Sequence, residues 1–170
     1  MKRVLILFAL LAPMVLTTAC KKEEPVQTER QRLTAPSDPR DDNAWKAYLG
    51  QEINANRAGV TDNVYSYYLG MDSDVLTPED EAADKRTKYQ RMVEQVNIVV
   101  LRTVLPGNML AFGSPDSSKM ADLIVAAFQG AEPNALKGSK VLFIGAAADN
   151  DRVKAAVEAA GANYVFVEAK

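Results

Sequence analysis

Polar side chains that could bind a ligand are concentrated in two short segments of the C-terminal half of the chain. Residues 113–118 read Gly-Ser-Pro-Asp-Ser-Ser, and residues 145–151 read Gly-Ala-Ala-Ala-Asp-Asn-Asp. Carboxylate oxygens are ligands for hard divalent cations, and the free N–H groups at the start of a helix attract anions. The candidate ligand-binding residues are Ser114, Asp116, Ser117, Ser118, Asp149, Asn150 and Asp151.

Neither segment contains a complete nucleotide-binding motif. Residues 113–120 lack the second glycine and the Ser or Thr of a P-loop, although Lys119 follows two serines. Residues 145–151 lack the later glycines of a dinucleotide-binding loop. The same Ser, Asp and Asn residue types also cap helix N-termini without any ligand. Two interpretations therefore stay open for these segments, a ligand site and a set of helix caps.

The composition restricts the chemistry that these segments can perform. The chain contains no His and a single Cys, which excludes Ser-His and Cys-His nucleophile pairs and removes the commonest zinc ligand. A hydrolase that uses carboxylate or Ser-Lys chemistry through Ser117, Lys119 or Asp149 is the least favoured alternative. The sequence favours a protein without catalytic residues, and it predicts neither a bound metal nor a cofactor.

The charge distribution argues against nucleic acid as a partner. The 170 residues include 20 Lys and Arg and 22 Asp and Glu, for a formal net charge of −2. A nucleic-acid-binding surface needs clustered Lys and Arg, and the basic residues here are dispersed among acidic ones. The hydrophobic content of 48% is ordinary for a globular protein, and the length suits one domain.

Strands and helices that alternate along the C-terminal half would position the two polar segments. Short apolar runs predict three strands, at residues 109–112, 141–144 and 164–167. Helical spacing predicts a connecting helix over residues 115–129 and a second one that begins at Asp149 or Asn150 and ends before Gly161. Such a βαβαβ unit forms a parallel sheet with right-handed crossovers. Since ligands bind at the carboxyl ends of parallel strands, both polar segments are expected at that edge.

Residues 43–105 are expected to supply the rest of an α/β domain. Asn43 is predicted to cap a helix that ends at Gly59, and residues 60–70 favour an extended segment. Thr77 is predicted to cap a long helix that runs to about Leu105. Because the strands are apolar on both faces, both faces need cover. We expect the long helix to lie opposite the two crossover helices, on a parallel sheet of three strands.

The first twenty-two residues have the composition of a secretory signal. Lys2 and Arg3 form a positive head, residues 4–16 are an apolar run, and residues 17–19 are small. A membrane span needs ~20 apolar residues, so the run is too short for a stable transmembrane helix. The pattern predicts a signal peptide over residues 1–19, immediately before the only cysteine, Cys20.

The five residues Leu16-Thr17-Thr18-Ala19-Cys20 resemble the lipobox of bacterial lipoproteins. Thr17 departs from the family pattern, which usually has Leu at that place. The resemblance implies that Cys20 becomes the first mature residue and carries a thioether-linked diacylglycerol and an amide-linked acyl chain such as palmitate. Two or more chains make a membrane anchor effectively permanent. Lys21 in place of Asp after the cysteine implies the outer membrane, with the protein facing the periplasm.

The predicted organisation has three parts. Residues 1–19 form the signal peptide, residues 20–42 the lipidated cysteine and a disordered tether, and residues 43–170 a single α/β domain. The tether has mixed charges and three prolines, so it buries too little apolar surface to fold. The expected function is a non-catalytic interaction or accessory role in the cell envelope, with an envelope protein or cell-wall component as partner. The alternative is a module that binds a small ligand, an anion or a divalent metal at the carboxyl edge of the sheet.

Overall fold

A computed structural model describes residues 34–102 and 104–170. The predicted signal peptide, Cys20 and residues 21–33 of the predicted tether lie outside the described residues. The described helices are α1 (Asp42–Ala55), α2 (Pro78–Ala83), α3 (Lys88–Leu101), α4 (Ser117–Phe128) and α5 (Ala147–Ala159). The described strands are β1 (Val64–Tyr68), β2 (Met109–Gly113), β3 (Lys140–Gly145) and β4 (Asn163–Glu168). None of these helices is long and apolar enough to cross a membrane.

The strands form one parallel sheet in the order β1-β2-β3-β4. The predicted α/β class and parallel sheet are confirmed, but the sheet has four strands rather than three. The additional strand, β1, lies within the segment predicted to be extended. Its alternation is weak because it is an edge strand. Tyr65 and Tyr67 are on the same face, yet Tyr65 is 41% exposed, whereas Tyr67 is buried with its ring centroid 5.0 Å from that of Phe112.

Three helices cover one face of the sheet, and α1 covers the other. Val100 of α3, Leu123 of α4 and Val157 of α5 share one buried cluster with the rings of β2 and β3. On the opposite face, Trp45 and Leu49 of α1 belong to a separate cluster of buried residues. The prediction that the long helix lies opposite the crossover helices is therefore wrong. With consecutive strands adjacent, right-handed crossovers place every connecting helix on the same side.

The single long helix predicted over residues 77–105 is wrong, because the chain forms two helices there. Thr77 caps α2 as predicted, through a capping box with Asp80. The helix ends at Ala83, and Lys85 follows with a φ of 57°, a left-handed conformation that interrupts a helix. Thr87 then begins α3 with a second capping box, to Gln90.

Residues 34–41 belong to the folded domain, although the sequence assigned them to the tether. The Ala35 N–H donates to the Lys170 carbonyl oxygen over 2.7 Å. The Trp45 indole N–H donates to the Asp38 carbonyl oxygen over 3.0 Å. The side chain of Asp41, rather than that of Asn43, caps α1. The domain therefore begins several residues before the predicted boundary at residue 43.

Candidate functional site

The Ser117 hydroxyl links the two polar segments at the carboxyl edge of the sheet. Ser117 is the first residue of α4. Its Oγ donates to Asp149 Oδ2 over 2.6 Å and accepts from the Ala146 N–H over 2.7 Å. The predicted proximity of the two segments is thus present in the structure. Both hydrogen-bonding roles of the hydroxyl are occupied by these partners.

The close approach of Ser117 depends on Gly145, the last residue of β3. A Cβ at this position would lie 2.6 Å from Ser117 Oγ and 2.4 Å from Cζ of Phe143. Real Cβ atoms do not approach other heavy atoms so closely. The absence of a side chain at Gly145 therefore allows α4 to begin against the end of β3, where Ser117 bonds to the next loop.

Asp149 holds together the first turns of α4 and α5. Arg152 donates to Asp149 Oδ1 from Nε over 3.1 Å and from Nη2 over 2.7 Å. The same guanidinium also donates to Asp122 and to the Ser118 hydroxyl, both on α4. Burial raises the pKa of the Asp149 carboxyl, but the hydrogen bonds from Ser117 and Arg152 outweigh burial, and the resulting pKa is below its ordinary value. Asp149 is therefore a paired carboxylate that bridges two helices.

The predicted capping role of Asp149 or Asn150 is wrong. Helix α5 begins at Ala147, its N-cap is Ala146, and no side chain caps it. Asn150 accepts from the Tyr164 hydroxyl over 3.1 Å and donates to Asp151 over 3.0 Å. These two bonds join residues of α5 and β4, and neither involves Ser117 or Asp149.

Asp116 and Ser114 shape the turn that leads from β2 into α4. Asp116 is the N-cap of α4 and accepts from the Lys119 N–H over 3.0 Å. The buried Ser114 hydroxyl accepts from the Asp116 N–H over 3.0 Å. The Lys119 ammonium lies 2.9 Å from Asp74 Oδ1 and 3.6 Å from Asp116 Oδ2. Asp116 could be a ligand-binding residue or a helix cap, and the bond that it makes is that of a cap.

Neither Asp149 nor Lys119 suits the role of general base for a serine nucleophile. A base must accept the hydroxyl proton, and its pKa should be near the working pH. The pKa of Asp149 is lowered, which makes it a weak base. The hydrogen bond to Asp74 raises the pKa of the Lys119 ammonium above its ordinary value, so Lys119 stays protonated. Within residues 34–102 and 104–170, no group of three or more acidic or thiol side chains could hold a metal ion.

The described sheet also lacks the crevice in which open parallel sheets usually bind their ligands. In open parallel sheets, ligands bind where the strand order reverses and the connecting helices diverge to opposite faces. The order β1-β2-β3-β4 contains no reversal. Instead, residues 34–37 cross the carboxyl ends of the strands and help to line a cavity of about 490 Å³. Ser114, Ser117 and Trp45 also line this cavity.

The remaining predicted residues lie around other features. Asp116 and Ser118 line a separate cavity of about 380 Å³ with Lys119, Asp74 and Tyr89. The seven candidate residues are therefore divided among two cavities and the side of α5. Arg152, which connects Ser118 to Asp149, was not selected from the sequence. Arg152 follows Asp149 by three residues, and side chains at this spacing are neighbours on a helix. The bond between these two residues could therefore have been predicted from the sequence.

A further cavity could not be predicted from the sequence. It measures about 530 Å³ and lies at the carboxyl end of β1, where its polar lining includes Arg40, Lys46, Tyr68, Ser73 and Lys88. These residues come from the segment before α1, from α1, from β1 and its following loop, and from α3. Such a set is spread over nearly fifty positions, so sequence spacing carried no signal for it.

No family model, curated protein or solved structure matches this chain.

Proposed function

We propose that this chain is a lipid-anchored protein of the bacterial envelope whose α/β domain binds a partner without catalysing a reaction. The observation that most supports the non-catalytic part is the pairing of Ser117 with Asp149 and of Asp149 with Arg152. These groups are the strongest candidates for catalysis, and each is engaged by a partner within the protein. The absence of His from the sequence supports the same proposal.

The anchor is proposed from the lipobox resemblance of residues 16–20. Cys20 would carry the diacylglycerol through its sulfur and an acyl chain on its new α-amino group. Thirteen residues separate Cys20 from Thr34, the first described residue. At ~3.5 Å per residue, fourteen steps reach at most about 50 Å, whatever conformation they take. The domain would thus work close to the membrane surface, in the periplasm and on the outer membrane.

The anchor is tested by replacing Cys20 with Ala in cells supplied with labelled palmitate. We expect the label to be lost from the protein and the protein to leave the membrane fraction. Thr17→Leu, which restores the residue usual in the lipobox, is the matched control and should keep the label. Retained labelling of the Cys20→Ala protein would end the lipoprotein proposal.

A second candidate function is the binding of a small ligand in the cavity at the carboxyl edge. The observation that favours it is the presence of Ser114, Ser117 and Trp45 around the same space of about 490 Å³. A ligand that binds only the folded state raises the melting temperature. Under the main proposal, magnesium, calcium and ATP each leave the Tm of the full chain unchanged. A rise of several degrees with one of them, lost in Trp45→Ala, would favour the second candidate.

A further inference from the structure

We infer that the free edge of β1 is a docking site for an extended, acidic segment of a partner protein, which adds a fifth strand to the sheet. This inference rests on the proposed function and deepens it, because it assigns the binding surface and the chemistry of the partner. Five features of this edge support it.

The first observation is the direction of the backbone groups of β1. The Asn63 carbonyl accepts from the Met109 N–H over 2.9 Å, and the Leu69 N–H donates to the Gly113 carbonyl over 3.4 Å. In a parallel ladder, alternate residues bond to the same neighbour. Odd-numbered residues of β1 therefore face β2, and the N–H and C=O groups of Val64, Ser66 and Tyr68 face outward. No described strand lies on that side.

The second observation is that β1 lacks two features that often protect an edge strand. Natural edge strands often carry a charged side chain or a proline that discourages pairing with another chain. The β1 sequence, Val-Tyr-Ser-Tyr-Tyr, has neither and is rich in residues with high strand propensity. At the other edge of the sheet, β4 ends in Glu168, which forms an ion pair with Lys170. The unprotected edge is thus β1.

The third observation is an apolar surface at the amino end of β1. Tyr65 is 41% exposed and Leu105 is 68% exposed. Both line a cavity of about 320 Å³ together with Val99 of α3, and the oppositely charged Asp62 and Arg102 also lie in its lining. A cavity with exposed apolar side chains beside an open strand edge can receive a side chain from an added strand, as in other cases of strand addition. This end of the edge therefore favours an apolar residue in the docked segment.

The fourth observation is a positive cavity at the carboxyl end of the same strand. Ser66 and Tyr68 line it together with Arg40, Lys46 and Lys88. Its acidic residues are Asp42 and Asp72, so the charged lining has one more cation than anions. Lys88 is exposed and forms no ion pair with any described residue. A carboxylate on the docked segment complements this charge.

The two ion pairs within this cavity leave its cations accessible. The Arg40 guanidinium is 2.8 Å from Asp72, but both side chains are more than 60% exposed. Lys46 is 3.8 Å from Asp42, and both are about half exposed. Exposed ion pairs of this kind contribute little and are readily exchanged. Arg40 and Lys46 can therefore turn toward an incoming carboxylate without a large loss.

The fifth observation is the buried hydroxyl of Ser73. Ser73 is only 3% exposed, and its Oγ has no hydrogen-bond partner among the described residues. It lines the positive cavity and also the neighbouring cavity around Lys88 and Met92. Buried hydroxyls are nearly always hydrogen-bonded, so an unpaired one calls for a partner that the isolated chain lacks. An unpaired polar group therefore lies at the carboxyl end of this edge, beside the cations of the cavity.

These observations specify the occupant. A five-residue strand spans about 17 Å, so a segment paired along β1 reaches from the apolar cavity to the positive one. It carries an apolar side chain at the first and an acidic side chain at the second. A second copy of this chain fits less well. If the β1 strands of two copies paired antiparallel, the amino end of one would meet the positive cavity of the other. It would bring Asp62 and Arg102 there, whose charges cancel.

The test uses the full chain, purified from membranes in detergent, and two synthetic peptides with blocked ends. One peptide is Leu-Thr-Val-Thr-Val-Thr-Asp-Asp, and the second has the reverse order, so that both strand directions are sampled. We expect one of them to slow hydrogen exchange at the Ser66 and Tyr68 amides at least tenfold. The same peptide with Asn in place of Asp is expected to bind at least fivefold more weakly.

Lys88→Glu supplies the decisive variant, and Lys137→Glu its matched control. Lys88 is the first residue of α3, where an acidic side chain is favourable, so the variant should fold. Lys137 is an exposed lysine that forms no ion pair with any described residue. We expect Lys88→Glu to weaken binding of the acidic peptide at least tenfold and Lys137→Glu to change it less than twofold.

Several results would overturn the inference. These are unchanged exchange at Ser66 and Tyr68 with both peptides, equal affinity of the Asp and Asn peptides, or full affinity in Lys88→Glu. A chain that is dimeric without peptide, with both amides already protected, would assign the edge to a second copy instead. None of these results affects lipid labelling at Cys20, which tests the proposed anchor separately. Mass spectrometry of the recovered peptide tests the non-catalytic role, since a cleaved peptide would contradict it.

Discussion

Ser117 Oγ donates to Asp149 Oδ2 over 2.6 Å and thereby connects the first turn of α4 to the first turn of α5. The two residues are thirty-two positions apart in the sequence. Among the candidate residues, Ser117 and Asp149 most resemble a catalytic serine with an acidic neighbour, and this bond pairs them with each other. It also joins the segments that follow β2 and β3 at the carboxyl edge of the sheet.

Ser117→Ala is expected to destabilise the domain. The substitution leaves the buried Asp149 carboxylate and the Ala146 N–H each without one partner, which costs about 1–3 kcal/mol. Urea denaturation followed by circular dichroism measures the change. Ser118→Ala is the control, because Ser118 is exposed and only accepts from Arg152, and it should cost less than about 0.5 kcal/mol. Equal stability of the Ser117→Ala and Ser118→Ala proteins would contradict the structural role.

Gly145→Ala is expected to lower stability by about 1–3 kcal/mol. The added Cβ would lie 2.4 Å from Phe143 and 2.6 Å from Ser117, so either the ring or the helix start must move. Gly50→Ala in α1 is a matched control, since nothing lies within 4 Å of its Cβ position. Alanine is preferred over glycine inside a helix by about 0.5–1 kcal/mol. The two variants should therefore shift the Tm in opposite directions.

Glu52→Gln is expected to stabilise the protein at neutral pH, raising its Tm by about 2 °C. Burial raises the pKa of the Glu52 carboxyl more than its contacts with Tyr48 and Asn56 lower it. When the pKa of a carboxyl is raised in the folded state, the protein loses stability as the pH rises from the unfolded-state pKa through the folded-state pKa. The gain from glutamine should therefore vanish below about pH 4, where Glu52 is protonated in both states.

Thermal melts between pH 3 and pH 8 measure this dependence. Glu132→Gln, at an exposed position, serves as the control and should leave the Tm almost unchanged at every pH. A Glu52→Gln gain that persists at pH 3 would mean that the charge of Glu52 is not its cause.

Arg91→Gln is expected to weaken the acid dependence of stability. The Arg91 guanidinium, together with Thr77, lowers the pKa of Asp80 to about 2. A lowered folded-state pKa adds stability above the unfolded pKa, near 4, and this contribution is lost as the pH falls through about 2. The wild-type Tm should therefore fall between pH 4 and pH 2, and the variant should start lower and fall less.

Differential scanning calorimetry at closely spaced pH values measures both curves. Arg57→Gln is the control, because Arg57 is exposed and forms no ion pair with the described residues. Parallel curves for the wild type and Arg91→Gln would show that the pair with Asp80 does not contribute to acid unfolding.

The sequence predictions were accurate where the structure depends on neighbouring residues and less accurate where it depends on distant ones. Strands β2, β3 and β4 contain successive apolar residues. Their ends were predicted to within one or two residues. Thr77 was predicted as a cap because a hydroxyl followed by a proline and acidic residues is a pattern within four residues. The cap at Thr87 was overlooked because the apolar spacing continues past it, so two helices were predicted as one.

The candidate site was less predictable because its bonds join distant segments. Asp116 could be recognised as a cap, since the Lys119 N–H that it binds is three residues away. The pairing of Arg152 with Asp122 spans thirty residues, and the cavity at the end of β1 draws on four elements. No local pattern marks such contacts, because they depend on strand order and on which helix covers which face.

The amino-acid sequence alone determined the alternation of strands and helices, the parallel sheet and the chemistry that is missing, because propensity, apolar periodicity and composition are local properties. It also carries the lipobox on which the proposed anchor rests. Only the tertiary structure decided that β1 joins the sheet as an open edge, that α3 lies beside α4 rather than opposite it, and that residues 34–37 cross the carboxyl ends of the strands. These outcomes depend on contacts between segments far apart in the chain, where the burial of one side chain is decided by its neighbours.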